Sequence, residues 1–187
     1  MNLPNSLTIF RILISPLFMV FFIMDTPTTK IIALSILFIS EWTDLLDGYI
    51  ARKYQLVTDV GKLLDPLADN LFRFSIFLCF LVKGHAPLWM IAVFFYRDSM
   101  VSWLRTIAAS QNLILAARTS GKIKALSQAA ATFFIVLLVT IHDFYKIPHL
   151  ATINYSLMLM ATLVTLYSGL EYFYANSHVL KQAFNKK

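Results

Sequence analysis

The chain has 187 residues, 58% of them hydrophobic and 14% charged, and its 16 Lys and Arg against 10 Asp and Glu give a formal charge of +6. A soluble domain carries about 25% charged residues and is about half apolar. This composition, with a mean hydropathy of +0.68, excludes an ordinary soluble fold and points to several membrane-spanning helices. The basic excess speaks first of topology and anionic head groups. Basic runs and stacking aromatics do not interleave, so no nucleic-acid partner is expected.

In chain order, six hydrophobic spans are predicted, over residues 7–24, 31–50, 63–82, 88–104, 126–141 and 153–172. Polar breakers around Pro27, Pro87 and Pro148 separate them, and no connection is long enough for a soluble domain. The expectation is one all-α domain over 1–187, a polytopic membrane protein built as a six-transmembrane-helix bundle. The first span is too long for a cleavable signal peptide and lacks a small-residue cleavage site after it. The single cysteine, Cys79, lies in an apolar run and reads as a packed or lipid-facing thiol. His85, His142, His149 and His178 fall in connections or the tail without ligand spacing, and interfacial roles are expected of them.

Orientation follows from Lys and Arg. With the amino terminus in the cytoplasm, one side holds Arg52, Lys53, Lys62, Arg105, Arg118, Lys122, Lys124, Lys181, Lys186 and Lys187; the other holds only Lys30, Lys83 and Lys146. That bias places both termini on the cytoplasmic side. Near the amino terminus, Pro4, Asn5 and Thr8 suit a helix start. Arg11, one turn into the first span, either snorkels to the interface or faces the bundle and supports a polar site.

The stretch from Asp44 to Asp69 stands out against this apolar background. Asp44 and Asp47 are three apart and Asp65 and Asp69 four apart, so each pair shares a helix face. Two antiparallel helix ends would bring these carboxylates together, where they would repel and where burial is costly. Divalent cations answer both problems: a hard ion takes carboxylate oxygens and leaves positions for phosphate oxygens, and two such ions would clamp a displacement at phosphorus. Gly48 permits close backbone approach, and Thr58 reads as an N-cap. Two other accounts stand beside this one: structural ion pairs with Arg52, Arg73 and Arg97, and a proton relay in a cation-coupled transporter.

The pattern Asp44-x2-Asp47-Gly48-x2-Ala51-Arg52-x8-Gly61-x3-Asp65-x3-Asp69 resembles the signature of the CDP-alcohol phosphatidyltransferase family, with every spaced position filled. That resemblance implies six membrane helices and homodimers, and it agrees with two Mg²⁺ or Mn²⁺ ions at a cytoplasm-facing polar active site as read above. The small size and lack of an organelle-targeting segment point to a bacterial inner membrane. The resemblance also implies roles. Asp44, Asp47, Asp65 and Asp69 would be metal ligands, with Asp69 also the catalytic base toward the acceptor hydroxyl. Asp44, Gly48, Ala51, Arg52 and Thr58 would line the cytidine-diphosphate site. The donor would be CDP-diacylglycerol, and CMP would leave.

The acceptor is read from a second cluster. Arg105, Arg118, Lys122 and Lys124 are either positive-inside flank or a site for an anionic acceptor such as a polyol phosphate. Arg97-Asp98 falls inside a span, so it should face the bundle. The segments Pro4-Asn5-x-Leu7-Thr8-x2-Arg11, Asp65-Pro66-Leu67-Ala68-Asp69 and Gly121-Lys122-Ile123-Lys124 with Gln128 resemble the branch whose acceptor is sn-glycerol 3-phosphate. The chain departs from that branch at Asn70, Asp98 and Ala125, where Lys, Glu and Thr are usual. Branches using phosphatidylglycerol, serine or inositol phosphate are the alternatives.

Overall fold

The computed structural model describes residues 3–54, 59–111, 113, 115–116 and 118–180; at 3–5, 45, 47–49, 51–52, 59–60 and 62–63 only the backbone is described. Six helices run in order: α1 Leu3–Met24, α2 Pro27–Lys53, α3 Asp59–Val82, α4 Leu88–Ser110, α5 Thr119–His142 and α6 Leu150–Ala175, with no strand among the described residues. Three of them contain stretches long and apolar enough to cross a membrane: Ser6–Met24, Thr119–His142 and Leu150–Ala175. Helices α2, α3 and α4 are of similar length but carry the interior charges Glu41, Asp44, Asp65, Asp69, Arg73, Arg97 and Asp98.

The helices turn their polar residues inward. On α6 Asn154, Thr162, Thr165 and Ser168 are buried, while Met160, Leu163, Leu166 and Leu170 are exposed. On α1 Thr8, Arg11 and Ser15 are buried, while Phe10, Leu13, Leu17 and Val20 are exposed. In water this arrangement would strand apolar surface and bury polar groups for no return. In hydrocarbon it is favourable, because small polar residues bond between helices and the apolar face meets lipid. The chain is a membrane protein.

The residues fall into two compact units. Unit 1 comprises Met1–His85 and Phe133–Leu150; unit 2 comprises Ala86–Thr132 and Ala151–Lys187.

In unit 1 the connection between α1 and α2 is two residues long, which makes these helices antiparallel neighbours. Asp25 takes a left-handed φ of 59°, which a short polar side chain tolerates. Thr26 caps α2: its hydroxyl accepts from the Thr29 amide while the Thr29 hydroxyl accepts from the Thr26 amide, and Pro27 starts the helix. α1 and α3 run parallel. Thr8 meets Asp65, Ser15 Oγ lies 2.7 Å from Ser75 Oγ, and Phe22 packs on Phe80 with ring centroids 5.9 Å apart, so partners advance together along both helices. Phe18, Phe22, Phe72, Ile76 and Phe80 recur at helical spacing and form the buried core between them.

At the end of unit 1 away from Thr8, four charges close the helices. Lys30 Nζ bonds Asp25 at 2.8 Å and Asp143 at 2.9 Å, and Lys83 Nζ bonds Asp25 at 2.9 Å. Lys30 is 7% exposed.

In unit 2 the predicted span 126–141 extends back to Thr119, so Lys122 and Lys124 stand on a helix rather than in a loop. The helix starts where the Gly121 amide bonds the Arg118 carbonyl at 3.1 Å. Val101, Leu104, Ala108, Tyr172 and Val179 form this unit's apolar core. Close to it α6 approaches α4 tightly: a Cβ at Gly169 would stand 3.0 Å from Cγ of Arg97.

Candidate active site

The carboxylates are positioned by three helices of unit 1. Asp44 comes from the last third of α2, Asp65 and Asp69 from the first half of α3, and the first turns of α1 supply their partners. Thr8 Oγ1 donates to Asp65 Oδ1 at 2.7 Å. Arg11, one turn on, is 2% exposed, and its Nη1 donates to Asp44 Oδ1 and to Asp69 Oδ1. A single guanidinium nitrogen therefore lies between carboxylates from two different helices. Of the two readings open for Arg11 in the sequence, the inward one is what the structure shows. Arg11 is buried and faces the carboxylates.

Two further charges belong to this cluster. Glu41, one turn before Asp44 on α2, is half-buried and shares a helix face with Asp44. Arg73, one turn after Asp69 on α3, stands on the same helix face. Glu41 escaped the sequence reading because it lies outside the spaced motif. Its signal was a carboxylate inside an apolar span, three residues before Asp44 and so on the same helix face.

The donor set suits a hard divalent cation. Asp44 and Asp69 already converge on one positive charge, and carboxylate oxygens are the ligands such ions take. Among the described residues no three acidic, His or Cys side chains are arranged as a metal shell. The side chain of Asp47 lies outside the described residues, as do those of Gly48, Ala51 and Arg52, which stand on α2. Asn5 stands on α1 with its side chain likewise undescribed, and Thr58 is outside altogether. The expected N-cap at Thr58 falls there too.

The candidate acceptor residues belong to unit 2. Arg105 of α4 donates from Nε to the Tyr172 hydroxyl at 3.1 Å and lies 5.6 Å from the centroid of that ring. Arg118 Nε pairs with Glu171 Oε1 at 2.6 Å, and Ser120 Oγ donates to Glu171 Oε2. Lys122 is exposed. Lys124 is 7% exposed and donates to both oxygens of Asp98, at 2.8 and 2.7 Å. Arg97 Nη1 reaches the same carboxylate at 2.9 Å and its Nη2 reaches Ser168 Oγ at 2.8 Å, so this pair does face neighbouring helices.

Burial of Lys124 follows from this compensation, because a desolvated ammonium persists where a carboxylate meets it. Gln128, fully buried one turn on, donates to Thr165 Oγ1 at 3.0 Å. Glu171 is the residue the sequence reading passed over here. It is the single acidic residue of α6, and a lone carboxylate in so apolar a helix was the available signal.

The chain matches the family model described as CDP-alcohol phosphatidyltransferase over residues 1–168. It is 33% identical to a protein of Bacillus subtilis (strain 168) named CDP-diacylglycerol–glycerol-3-phosphate 3-phosphatidyltransferase, covering 96% of this chain and 97% of that one. A protein of the same name from Rickettsia bellii (strain RML369-C) is 32% identical, covering 93% and 94%. A fusion protein of Schizosaccharomyces pombe (strain 972 / ATCC 24843), named cardiolipin synthase (CMP-forming) / mitochondrial hydrolase, is 41% identical over 108 residues, 56% of this chain and 18% of that one.

Proposed function

The chain belongs to the CDP-alcohol phosphatidyltransferase family, and on that premise we propose that it transfers the phosphatidyl group of CDP-diacylglycerol to sn-glycerol 3-phosphate. The products are phosphatidylglycerol phosphate and CMP. The observation that carries the acceptor is the similarity to relatives named for glycerol 3-phosphate, which extends over nearly the whole of both chains. Likeness to the cardiolipin synthase fusion covers little more than half of this chain.

In the reaction the acceptor hydroxyl oxygen attacks the lipid-bearing phosphorus, a new ester bond forms, and the phosphoanhydride bond to CMP breaks. Asp69 is the group that takes the hydroxyl proton; it lies across from Asp44 and shares a cation with it. Asp44, Asp47, Asp65 and Asp69 are the residues to hold Mg²⁺ or Mn²⁺. Bound there, two such ions would neutralise charge on the pyrophosphate of CDP-diacylglycerol as CMP leaves. Arg52 offers a guanidinium fork to the pyrophosphate, and Gly48, Ala51 and Thr58 line the nucleotide site. Arg105, Arg118, Lys122 and Lys124 are the candidate cations for the acceptor's phosphate, with Arg118 and Lys124 also held by Glu171 and Asp98.

All six helices cross the membrane in this reading, including the three that carry the interior charges. The positive-inside bias sets both termini and the carboxylate cluster toward the cytoplasm of a bacterial inner membrane. The protein works there as a single-domain homodimer.

The test is an acceptor panel. Purified protein with CDP-diacylglycerol and Mg²⁺ is offered glycerol 3-phosphate, phosphatidylglycerol, serine and inositol phosphate while CMP is measured. Release with glycerol 3-phosphate alone is the expected result. Release with another acceptor but not this one reassigns the branch, and no release with any alcohol removes the enzyme reading.

A further inference from the structure

A guanidinium buried to 2% exposure near the start of an otherwise apolar helix is an expensive feature. Its location explains what offsets the cost: one nitrogen, Nη1, is shared by Asp44 of α2 and Asp69 of α3. Without positive charge at that point the carboxylates would repel, and α2 and α3 would be driven apart at this end. α1 therefore carries its own counter-charge to the cluster, with Thr8 bonding Asp65 from one turn away on the same face.

A divalent cation held by Asp44 and Asp69 would share these carboxylates with the guanidinium, and the positive charges repel. Glu41, which the metal set does not include, offers another carboxylate one turn from Asp44 toward the middle of α2.

We propose that Arg11 is a tethered counter-cation of the carboxylate cluster, displaced toward Glu41 when divalent metal binds, so that it sets the metal affinity by competition. Arg11 is thus a positioning residue of the metal-free protein and a brake on loading. This rests on the metal reading given above. Removing its charge raises metal affinity and weakens the metal-free fold, whereas an ordinary structural ion pair would lower both.

The test reads metal binding, not turnover. Wild type, Arg11→Gln and Arg11→Lys are stripped with a chelator in nanodiscs and titrated with Mn²⁺ by calorimetry, and thermal midpoints are taken with and without metal. Arg11→Gln is expected to bind Mn²⁺ about ten-fold tighter or more, with a lower metal-free midpoint and a larger rise on metal addition. Arg11→Lys, keeping the charge, is expected to stay near the wild type. Equal or weaker binding by Arg11→Gln, with normal binding by the wild type, overturns the proposal and leaves the metal reading intact. No Mn²⁺ binding by the wild type overturns both.

Should Arg11→Gln fail to fold without metal, the wild type itself decides. With guanidino-¹⁵N-labelled arginine, the signal that disappears in Arg11→Lys is expected to move on addition of Mg²⁺. A signal that stays in place overturns the displacement.

Discussion

At one end of unit 1, Asp25 and Asp143 meet Lys30 and Lys83; at the other, Asp44, Asp65 and Asp69 meet Arg11 and the hydroxyl of Thr8. Both ends tie α1, α2 and α3 together with charge, and the first adds Asp143 from just beyond α5. In the first, two carboxylates face two ammonium groups, so the group is neutral and closed. In the second, the carboxylates Glu41, Asp44, Asp65 and Asp69 outnumber Arg11 and Arg73, and the motif adds Asp47. A balanced knot asks nothing of its surroundings. An unbalanced one leaves room for a cation from outside, the role proposed above for Mg²⁺ or Mn²⁺. The difference in charge count is what sets the balanced end apart from the end proposed to do the chemistry.

The comparison can be broken at either end, and the largest effect is expected at the unbalanced one. Asp69→Asn removes the proposed base and one metal ligand while keeping the side chain's shape. CMP release is expected to fall by about 10³-fold or more, while binding of a cytidine nucleotide stays largely intact. Unchanged turnover would remove Asp69 as the base.

A smaller effect, on stability rather than chemistry, is expected from Lys30→Ala. It leaves Asp143 without Lys30 at a position where that lysine is 7% exposed. Breaking a buried pair in this way costs about 3–5 kcal/mol, and the half-exposed Asp25 brings the expectation down to about 2 kcal/mol. The thermal midpoint should drop while CMP release per folded molecule is retained. Loss of turnover in fully folded Lys30→Ala would mean that the knot takes part in the chemistry.

The smallest effect is a pH dependence arising at the balanced end. Burial against Phe22 and Phe80 holds the His85 pKa below its ordinary 6.5, with Lys30 and Lys83 acting the same way and Asp25 opposing them. Burial acts to raise the Asp25 pKa, but the hydrogen bonds from Lys30 and Lys83 outweigh it and hold the value below 3.8. Both groups are depressed on folding. Each therefore contributes stability that is fully present above its unfolded value and is lost as pH falls through its folded one. The thermal midpoint is expected to decline in two stages, below pH 6.5 and again below pH 3.8, and His85→Gln should remove the first. A midpoint that rises on acidification would reverse the sign.

Much of unit 1 was legible because its information is local. Hydropathy locates the apolar middles of the helices, and the spacing of Asp44 with Asp47, and of Asp65 with Asp69, is a short-range helical signal. Helix ends were less so: α4 runs on to Ser110 and α5 begins at Thr119, since polar residues at a helix end look like a loop to a hydropathy window. What spacing cannot carry is long-range compensation. Arg11 reads ambiguously until Asp44 and Asp69 are seen on either side of it. Arg118 and Lys124 look like free cations until Glu171 and Asp98 are found against them. The candidate acceptor cluster was therefore the harder half to read, because two of its charges are balanced by partners distant in sequence.

The central claim is that the surplus of carboxylates around Arg11 binds a divalent cation on which phosphatidyl transfer depends. The most direct measurement follows CMP release from CDP-diacylglycerol and glycerol 3-phosphate by chelator-stripped protein as Mg²⁺ or Mn²⁺ is restored. No release without metal, and saturable recovery on its return, is the predicted result; full CMP release by the stripped protein would contradict the account.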